Sequence, residues 1–384
     1  MTRQSDDAAP ALHPDTLLVH AGRKVDSETG AVTLPIHPST TFERDPDGGY
    51  SRGHVYTRQS NPNRAQLEQC LAALEGGDDA CAFASGSAAT MAVLQLLCPG
   101  DHVVLTEDCY YGTRHQLETL FTQWGLTFTR VDTTDVDAVA AAIEPASRLL
   151  WIESPSNPLL RISDLEALAQ LAREHDLITA CDNTVATPVL QNPLHHGIDL
   201  VVHSTTKFLG GHSDLLGGAV IQRADFPHAP ALRNIQVAGG AVPAAFDCWL
   251  LLRSISSLGV RVRAQAASAR TLAQRLQGCA AVEAVFHPML AEQPHHERAQ
   301  YYLPGGCGLL SFTLNGGEAR ARQIAAATRV FTCATSLGSV ESLIEHRASI
   351  EGAGTPTPNN LLRLSVGLED VEDLWRDLEQ TLRS

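Results

Sequence analysis

Between residues 61 and 203 the chain alternates helical segments with short apolar runs, and this alternation restricts the fold more than any other feature. Asn61-Pro62-Asn63 precedes Leu67, Cys70, Leu71 and Leu74, which share one helical face, and Gly76-Gly77 stops the helix. Ser85-Gly86-Ser87 opens a second predicted helix, Ala88 to Leu97. Runs of strand length follow at 101–106, 126–131, 148–152, 177–181 and 200–203. The stretches 113–124, 136–143 and 164–175 between them read as helices. Apolar strands separated by helices imply an α/β fold with a mostly parallel central sheet, covered by helices on both faces. Ligands of such sheets gather at the carboxyl ends of the strands. Glu153, Asp182 and Ser204 each stand just past a predicted strand end.

The flanking segments read differently. Residues 1–50 hold prolines at 10, 14, 35, 38 and 46 and the turn cluster Asp45-Pro46-Asp47-Gly48-Gly49, so an N-terminal arm is expected there. An arm without its own core must pack on something, such as a neighbouring subunit. The main ligand-binding domain is expected over 51–240, ending where Ala238-Gly239-Gly240-Ala241-Val242-Pro243 interrupts the pattern. A long helix over 246–277, kinked near Gly259, follows. Strand-like runs at 308–314 and 361–366, with helices at 317–328 and 370–382, then suggest a smaller α/β domain over 241–384. A chain of 384 residues suits two domains.

Charge excludes some partners. With 43 acidic and 28 basic residues the net charge is −15, which argues against nucleic acid or an anionic membrane as the main partner. The first twenty residues carry three aspartates and no apolar run of signal-peptide length, and no window approaches eighteen apolar residues. The nine cysteines include no Cys-x-x-Cys, so buried thiols in a reducing cytoplasm are expected, not disulfides or a zinc site. Sixteen histidines form no metal-ligating spacing; His195-His196 and His295-His296 are adjacent pairs whose side chains diverge on regular structure.

The candidate chemistry centres on His203-Ser204-Thr205-Thr206-Lys207. Lys207 closes an apolar strand among hydroxyls. Ser204 and Thr206 can donate hydrogen bonds to a phosphate, and glycines 210, 211, 217 and 218 allow close backbone approach. The Walker A spacing is absent. A lysine beside an anion pocket suits an amine that forms an imine with pyridoxal phosphate (PLP). Asp182, in Asp182-Asn183-Thr184, is either a turn or cap residue or the carboxylate that keeps a pyridine nitrogen protonated. Ser85-Gly86-Ser87 is a helix cap and, equally, an anion site at a helix N-terminus. Tyr56 and Arg58 are surface residues or a phosphate clamp. Of Tyr110 and Tyr111, one can stack on a flat ring. Arg363, amid Leu361-Leu362 and Leu364, needs an anion: an internal carboxylate or that of an amino-acid substrate.

Taken together, these motifs resemble the transsulfuration (Cys/Met metabolism) family of PLP-dependent enzymes. The resemblance runs from His20-Ala21-Gly22 to Val366-Gly367-Leu368-Glu369-Asp370. It rests on Tyr56-x-Arg58-x-x-Asn61-Pro62, Ser85-Gly86, Glu153-Ser154-Pro155-Ser156-Asn157-Pro158, Asp182-Asn183-Thr184, Ser204-Thr205-Thr206-Lys207, Ser336-Leu337-Gly338 and Arg363-Leu364-Ser365-Val366-Gly367. It implies the PLP-dependent transferase fold of type I, with Lys207 as imine-forming lysine and proton shuttle. Asp182 then pairs with the ring nitrogen, with Thr184 beside it, and Ser85, Gly86, Ser87, Ser204 and Thr206 hold the phosphate. Tyr110, with Thr113 three residues on, would stack on the ring; Tyr111 is the runner-up. Asn157, Ser336 and Arg363 bind the substrate carboxylate or the cofactor's phenolic oxygen. Tyr56 and Arg58 reach the phosphate of a neighbouring subunit, which implies a homodimer at least and commonly a homotetramer.

The implied activity is that of a cytoplasmic enzyme of sulfur amino-acid metabolism acting on a small amino acid. Replacement at the γ-carbon of an O-acylhomoserine by cysteine comes first. Cleavage of a C–S bond, as by cystathionine β- or γ-lyase or methionine γ-lyase, is the alternative, and an aminotransferase of the same fold a further one. Three positions depart from the family pattern. Ser87 stands where methionine is usual, Thr335 where Glu or Tyr is frequent, and His346-Arg347-Ala348-Ser349 replaces His-Pro-Ala-Ser.

Overall fold

The computed structural model of the chain describes residues 12–352 and 355–383. The first eleven residues of the expected arm lie outside them. The alternation resolves into one seven-stranded sheet: β1 (Asp79–Phe83), β2 (His102–Thr106), β3 (Thr127–Val131), β4 (Ser147–Glu153), β5 (Ile178–Asp182), β6 (Leu200–His203) and β7 (Gly218–Gln222). Their spatial order is β1-β7-β6-β5-β4-β2-β3. Neighbours from β6 through β5, β4 and β2 to β3 are parallel. β7 runs antiparallel to both β6 and β1.

Side chains alternate across this sheet and build a core on each face. Leu149 and Trp151 of β4 join Val103, Leu105, Leu200 and Val202 on one side. Leu150 and Ile152 join Val104, Cys181 and Val201 on the other. Because both faces are covered, the parallel strands read as unbroken apolar runs. The helix Pro62–Glu75 starts where Asn61 caps Asn63 N and stops at Gly76, whose φ of 71° is left-handed.

Five further strands form a second sheet: β8 (Val282–Phe286), β9 (Leu309–Leu314), β10 (Thr332–Cys333), β11 (Leu343–His346) and β12 (Leu361–Ser365), in the order β10-β11-β12-β9-β8. It is antiparallel apart from β10–β11. Its core, with Phe312, Ile344, Leu364 and Leu378, is packed by the helices Leu258–Gln277, Gly317–Ala327 and Val371–Arg383. The long helix expected over 246–277 is two helices, Ala245–Ile255 and Leu258–Gln277. They part at Ser256-Ser257, not at Gly259. Gly259 lies inside the second helix, where a Cβ would meet Asp15 Oδ1 at 2.8 Å. The glycine there accommodates the arm. Likewise the helix expected over 113–124 ends its α-turns at Gln116 and continues as a π-turn, Leu117–Phe121. Among the described residues no helix is long and apolar enough to cross a membrane, and all nine cysteines are free, six of them buried.

One glycine ties the two sheets together. Gly338 has φ 84°, and a Cβ there would lie 2.5 Å from Phe208 N, the residue after Lys207. Gly338→Ala is therefore expected to lower the thermal unfolding midpoint, through a cost of about 1–3 kcal/mol. Gly239→Ala, which meets no atom within 4 Å, should leave the midpoint nearly unchanged. Equal midpoints for the two variants would show that the close approach is not needed.

Candidate active site

The carboxyl ends of β4, β5 and β6 and the loops of the second sheet enclose a cavity of about 190 Å³. Its wall includes Ser85, Gly86, Ser87, Tyr110, Asn157, Asp182, Thr184, Ser204, Thr206, Lys207, Ser336 and Arg363. Twelve of the fourteen residues singled out in the sequence thus meet in one place. Tyr56 and Arg58 do not line it. Tyr56 is half-exposed, Arg58 Nη1 donates to Val237 O at 2.6 Å, and the guanidinium sits 6.0 Å from the Tyr56 ring centroid.

One end of the cavity is an anion cradle. The helix Gly86–Leu94 begins there, capped by Ser85, whose hydroxyl accepts from Ala88 N at 3.1 Å. A Cβ on Gly86 would stand 2.7 Å from Ser204 Cβ, and one on Gly218 2.2 Å from Ser85 O. The glycines therefore let the strand end and the helix start close together. The first turn of that helix directs backbone N–H groups and the positive end of the dipole at the space Ser204 borders. Thr206 Oγ1 accepts from Gly217 N at 3.0 Å, and Thr184 Oγ1 accepts from Ser204 N at 2.8 Å. These bonds fix the loop that carries Lys207.

The opposite wall is basic. Lys207 Nζ donates to Ser336 Oγ at 2.8 Å. Ser336 itself has φ 109°, a strained conformation for a residue with a Cβ, of the kind that clusters at functional sites. Its carbonyl accepts from Arg363 Nη2 at 2.7 Å, and Asn157 Oδ1 accepts from Arg363 Nη1 at 3.0 Å. Burial, then the charges of Arg363 and Arg347 against Glu345, lower the Lys207 amine to about 8. Arg363 itself falls to about 10, through burial first and the nearby Arg347 second.

Two carboxylates line the cavity from neighbouring strand ends. Glu153 and Asp182 are paired in the β4–β5 register. Burial raises Asp182, opposed by hydrogen bonds from Thr184, whose N–H donates to Oδ1 at 3.0 Å. Burial and then the Asp182 charge push Glu153 well up, opposed by the bond from Tyr110 N at 2.6 Å. Adjacent carboxyls that share one dry site hold one proton more readily than none. Behind them His203 Nε2 and Asn183 Nδ2 both meet Glu75 Oε1, at 2.6 and 2.9 Å. That buried set fixes the ends of β5 and β6.

Of the two tyrosines, Tyr110 borders the cavity. Its ring lies against Gly112, where a Cβ would meet it at 2.4 Å. Tyr111 instead stacks on His115 at 5.3 Å. The wall also holds residues that the sequence reading did not place in the site: Thr90, Val185, Leu216 and Arg347. Glu345, directly opposite Arg363 in the β11–β12 register, belongs with them and accepts from it at 2.5 Å. A charged residue in the apolar run Leu343-Ile344-Glu345-His346 was the available signal.

A flat ring with a phosphate and a basic nitrogen matches this donor set. The helix start and hydroxyls suit the phosphate, Asp182 the nitrogen, Tyr110 the ring face and Lys207 an aldehyde. Comparison with known proteins points to the same cofactor. Residues 15–383 match the family described as Cys/Met metabolism PLP-dependent enzyme. The chain is 44% identical to cystathionine gamma-synthase of Mycobacterium tuberculosis over 96% of both chains. It is 40% identical to cystathionine beta-lyase of Coxiella burnetii over 96% of this chain and 98% of that one. The crystal structure of metB from Corynebacterium glutamicum superposes with TM-score 0.95 at 40% identity, covering 97% of this chain and 98% of the other.

The low affinity of Lys207 for its proton is measurable in the cofactor-free protein. At pH 8 about half of this amine is neutral, against about 0.3% for an ordinary lysine. Acetylation of Lys207, followed by peptide mass spectrometry, is expected to rise with pH through a midpoint near 8. Arg363→Met, which removes the strongest repelling charge, should move that midpoint upward; an unmoved midpoint near that of free lysine contradicts the electrostatic account.

Proposed function

We propose that this chain, which belongs to the Cys/Met metabolism family of PLP-dependent enzymes, makes cystathionine from an O-acylhomoserine and cysteine. PLP, when bound, supplies an electron sink for the charge left as a substrate C–H bond breaks. The protein's own residues do the rest. Asp182 gives the ring nitrogen a half-buried anionic partner. The cradle of Gly86, Ser87, Ser204 and Thr206 anchors the phosphate, and Tyr110 covers the ring. Arg363, steadied by Asn157, takes the α-carboxylate. Lys207, neutral in part at neutral pH and aimed by Ser336 Oγ, removes the α-proton and then serves at the β-carbon. The Cγ–O bond breaks, the acyl group leaves as a carboxylate, and the cysteine sulfur, losing its proton, forms the new Cγ–S bond.

The observation that carries the PLP chemistry is the convergence of a half-buried lysine amine, a half-buried aspartate and an anion cradle in one cavity. Replacement is favoured over cleavage by the greater identity to the γ-synthase than to the β-lyase. Free thiols throughout the chain suit a reducing cytoplasm.

Tyr56 and Arg58 support a shared site. Both belong to the family motif, yet neither lines the cavity of its own chain. They are assigned to the phosphate of a neighbouring subunit in a homodimer, or in a tetramer built from such dimers.

The test of the reaction is product identification with O-acetyl- or O-succinylhomoserine plus cysteine, cystathionine alone, and methionine alone. Cystathionine formation should dominate, and Lys207→Ala should lower it by about 10³-fold or more. Dominant pyruvate or 2-oxobutanoate release from cystathionine would make the enzyme a lyase instead. A pyridoxamine form that accumulates with an amino donor would make it an aminotransferase. For the shared site, an Arg58→Ala chain mixed with a Lys207→Ala chain should regain up to about a quarter of the activity, through dimers that keep one intact site. No recovery in a mixture shown to contain heterodimers argues that each site is built from one chain.

A further inference from the structure

Two residues before Tyr110, just past the end of β2, stands a buried acid that the proposed chemistry leaves unused. Asp108 Oδ2 accepts from the hydroxyl of Ser156, a buried residue just past the end of the neighbouring strand β4. Burial raises the Asp108 carboxyl; the bond from Ser156 and the charge of Arg161, whose Nε lies 4.0 Å away, oppose that rise. A carboxylate held out of water is costly unless it is well bonded, and Ser156 is the side chain that bonds it.

Ser156 has no spare polar group. Its N–H donates to Arg161 O at 3.0 Å, and its carbonyl accepts from Leu160 N at 3.0 Å. Its hydroxyl, while donating to Asp108, accepts from Arg161 N at 3.1 Å. The loop 156–161 is thereby closed on one residue, and Asp108 ties that residue to the larger sheet. The same loop meets the smaller sheet twice. Asn157 Oδ1 accepts from Arg363 Nη1 at 3.0 Å, and outside the cavity wall Pro158 O accepts from Ser311 Oγ at 2.8 Å. Ser311 and Arg363 are directly opposed in the β9–β12 register. Among the described residues Asn157 is the acceptor of Arg363 Nη1, and the buried Nε has none. The direction of the guanidinium therefore depends in part on where Asn157 stands, and Asn157 is the residue after Ser156.

We infer that Asp108 is a positioning residue: through the Ser156 hydroxyl it fixes the loop that brings Asn157 to Arg363, and so sets the grip of Arg363 on the α-carboxylate of the ligand. Asp108 does not line the cavity and acts only through that loop. This rests on the reading of the cavity as an amino-acid site.

The test separates the carboxylate from the rest of the ligand. Cofactor-loaded protein is titrated calorimetrically with L-norleucine and with 1-pentylamine, the same molecule without its carboxylate. Neither carries a leaving group, so the result is independent of whether the enzyme replaces or cleaves. Asp108→Ala should weaken norleucine binding about 10-fold and leave pentylamine binding within about threefold. Asp108→Asn, which keeps an oxygen for Ser156 to donate to, should recover most of that loss. In an Arg363→Met background, where the grip is already gone, Asp108→Ala should cost norleucine no more than about twofold further. Retained pentylamine binding also shows that the variant is folded. If Asp108→Ala does not fold, Ser156→Ala breaks the same bond from the other side and carries the same expectation. Equal losses for the two ligands, as expected if Asp108 acted through Tyr110, overturn the assignment. So do an unchanged norleucine affinity and a full additional loss in the Arg363→Met background. A wild type that binds norleucine no better than pentylamine defeats the amino-acid reading itself, and the assignment with it.

Discussion

Two hydrogen bonds cross between the sheets at the cavity: Lys207 Nζ to Ser336 Oγ, and Arg363 Nη1 to Asn157 Oδ1. Each joins a charged group from one sheet to a neutral acceptor from the other. Hydrogen bonds to ions are stronger than neutral ones, and burial strengthens them further. The carbonyl of Ser336 adds a third link, within the second sheet, by receiving Arg363. The strained backbone of Ser336 is therefore held from two directions, and the lysine and arginine cannot be set independently. Their relative placement decides where a bound amino acid presents its α-carbon.

The charges around this joint are arranged in opposition. Lys207 past the end of β6, Arg347 past the end of β11 and Arg363 in β12 lie on one wall, and the carboxyls at the ends of β4 and β5 on the other. Burial acts on both in opposite senses, lowering the amine at 207 and raising the acids at 153 and 182. The result is that Lys207, Glu153 and Asp182 are drawn toward neutrality until a ligand arrives with the missing charges. A phosphate at the helix start, a cationic ring nitrogen at Asp182 and a carboxylate at Arg363 would each restore an ion to a partner prepared for it.

How much of this the sequence shows depends on which force sets each element. The parallel strands are legible because burial on both faces demands continuous apolar runs, as in Leu149-Leu150-Trp151-Ile152. β1 and β7 escape notice: Asp79-Ala80-Cys81-Ala82-Phe83 is short and alanine-rich, and Gly218 opens its partner. Their antiparallel pairing, not their residues, makes them strands. The break at Ser256-Ser257 was displaced to Gly259 because glycine is read as flexible, whereas here it makes room for Asp15. At the site, Lys207, Asp182 and Arg363 are legible because each is a charged group in an apolar setting. Glu345 has the same signature, but its partner is fixed by strand register across an antiparallel pair, which one sequence does not disclose. Arg347 was visible only as a residue out of pattern; its place in the wall needed the fold.

The distribution of thiols has a practical consequence. Seven of the nine cysteines are buried or half-buried, while Cys98, in the loop between the helix Gly86–Leu94 and β2, and Cys333, in β10 of the smaller sheet, are exposed. A pair of dyes attached at these two positions would report separation between the two layers as a spectroscopic ruler. Any change in that separation on adding an amino acid is then readable in solution, without introducing a single new residue.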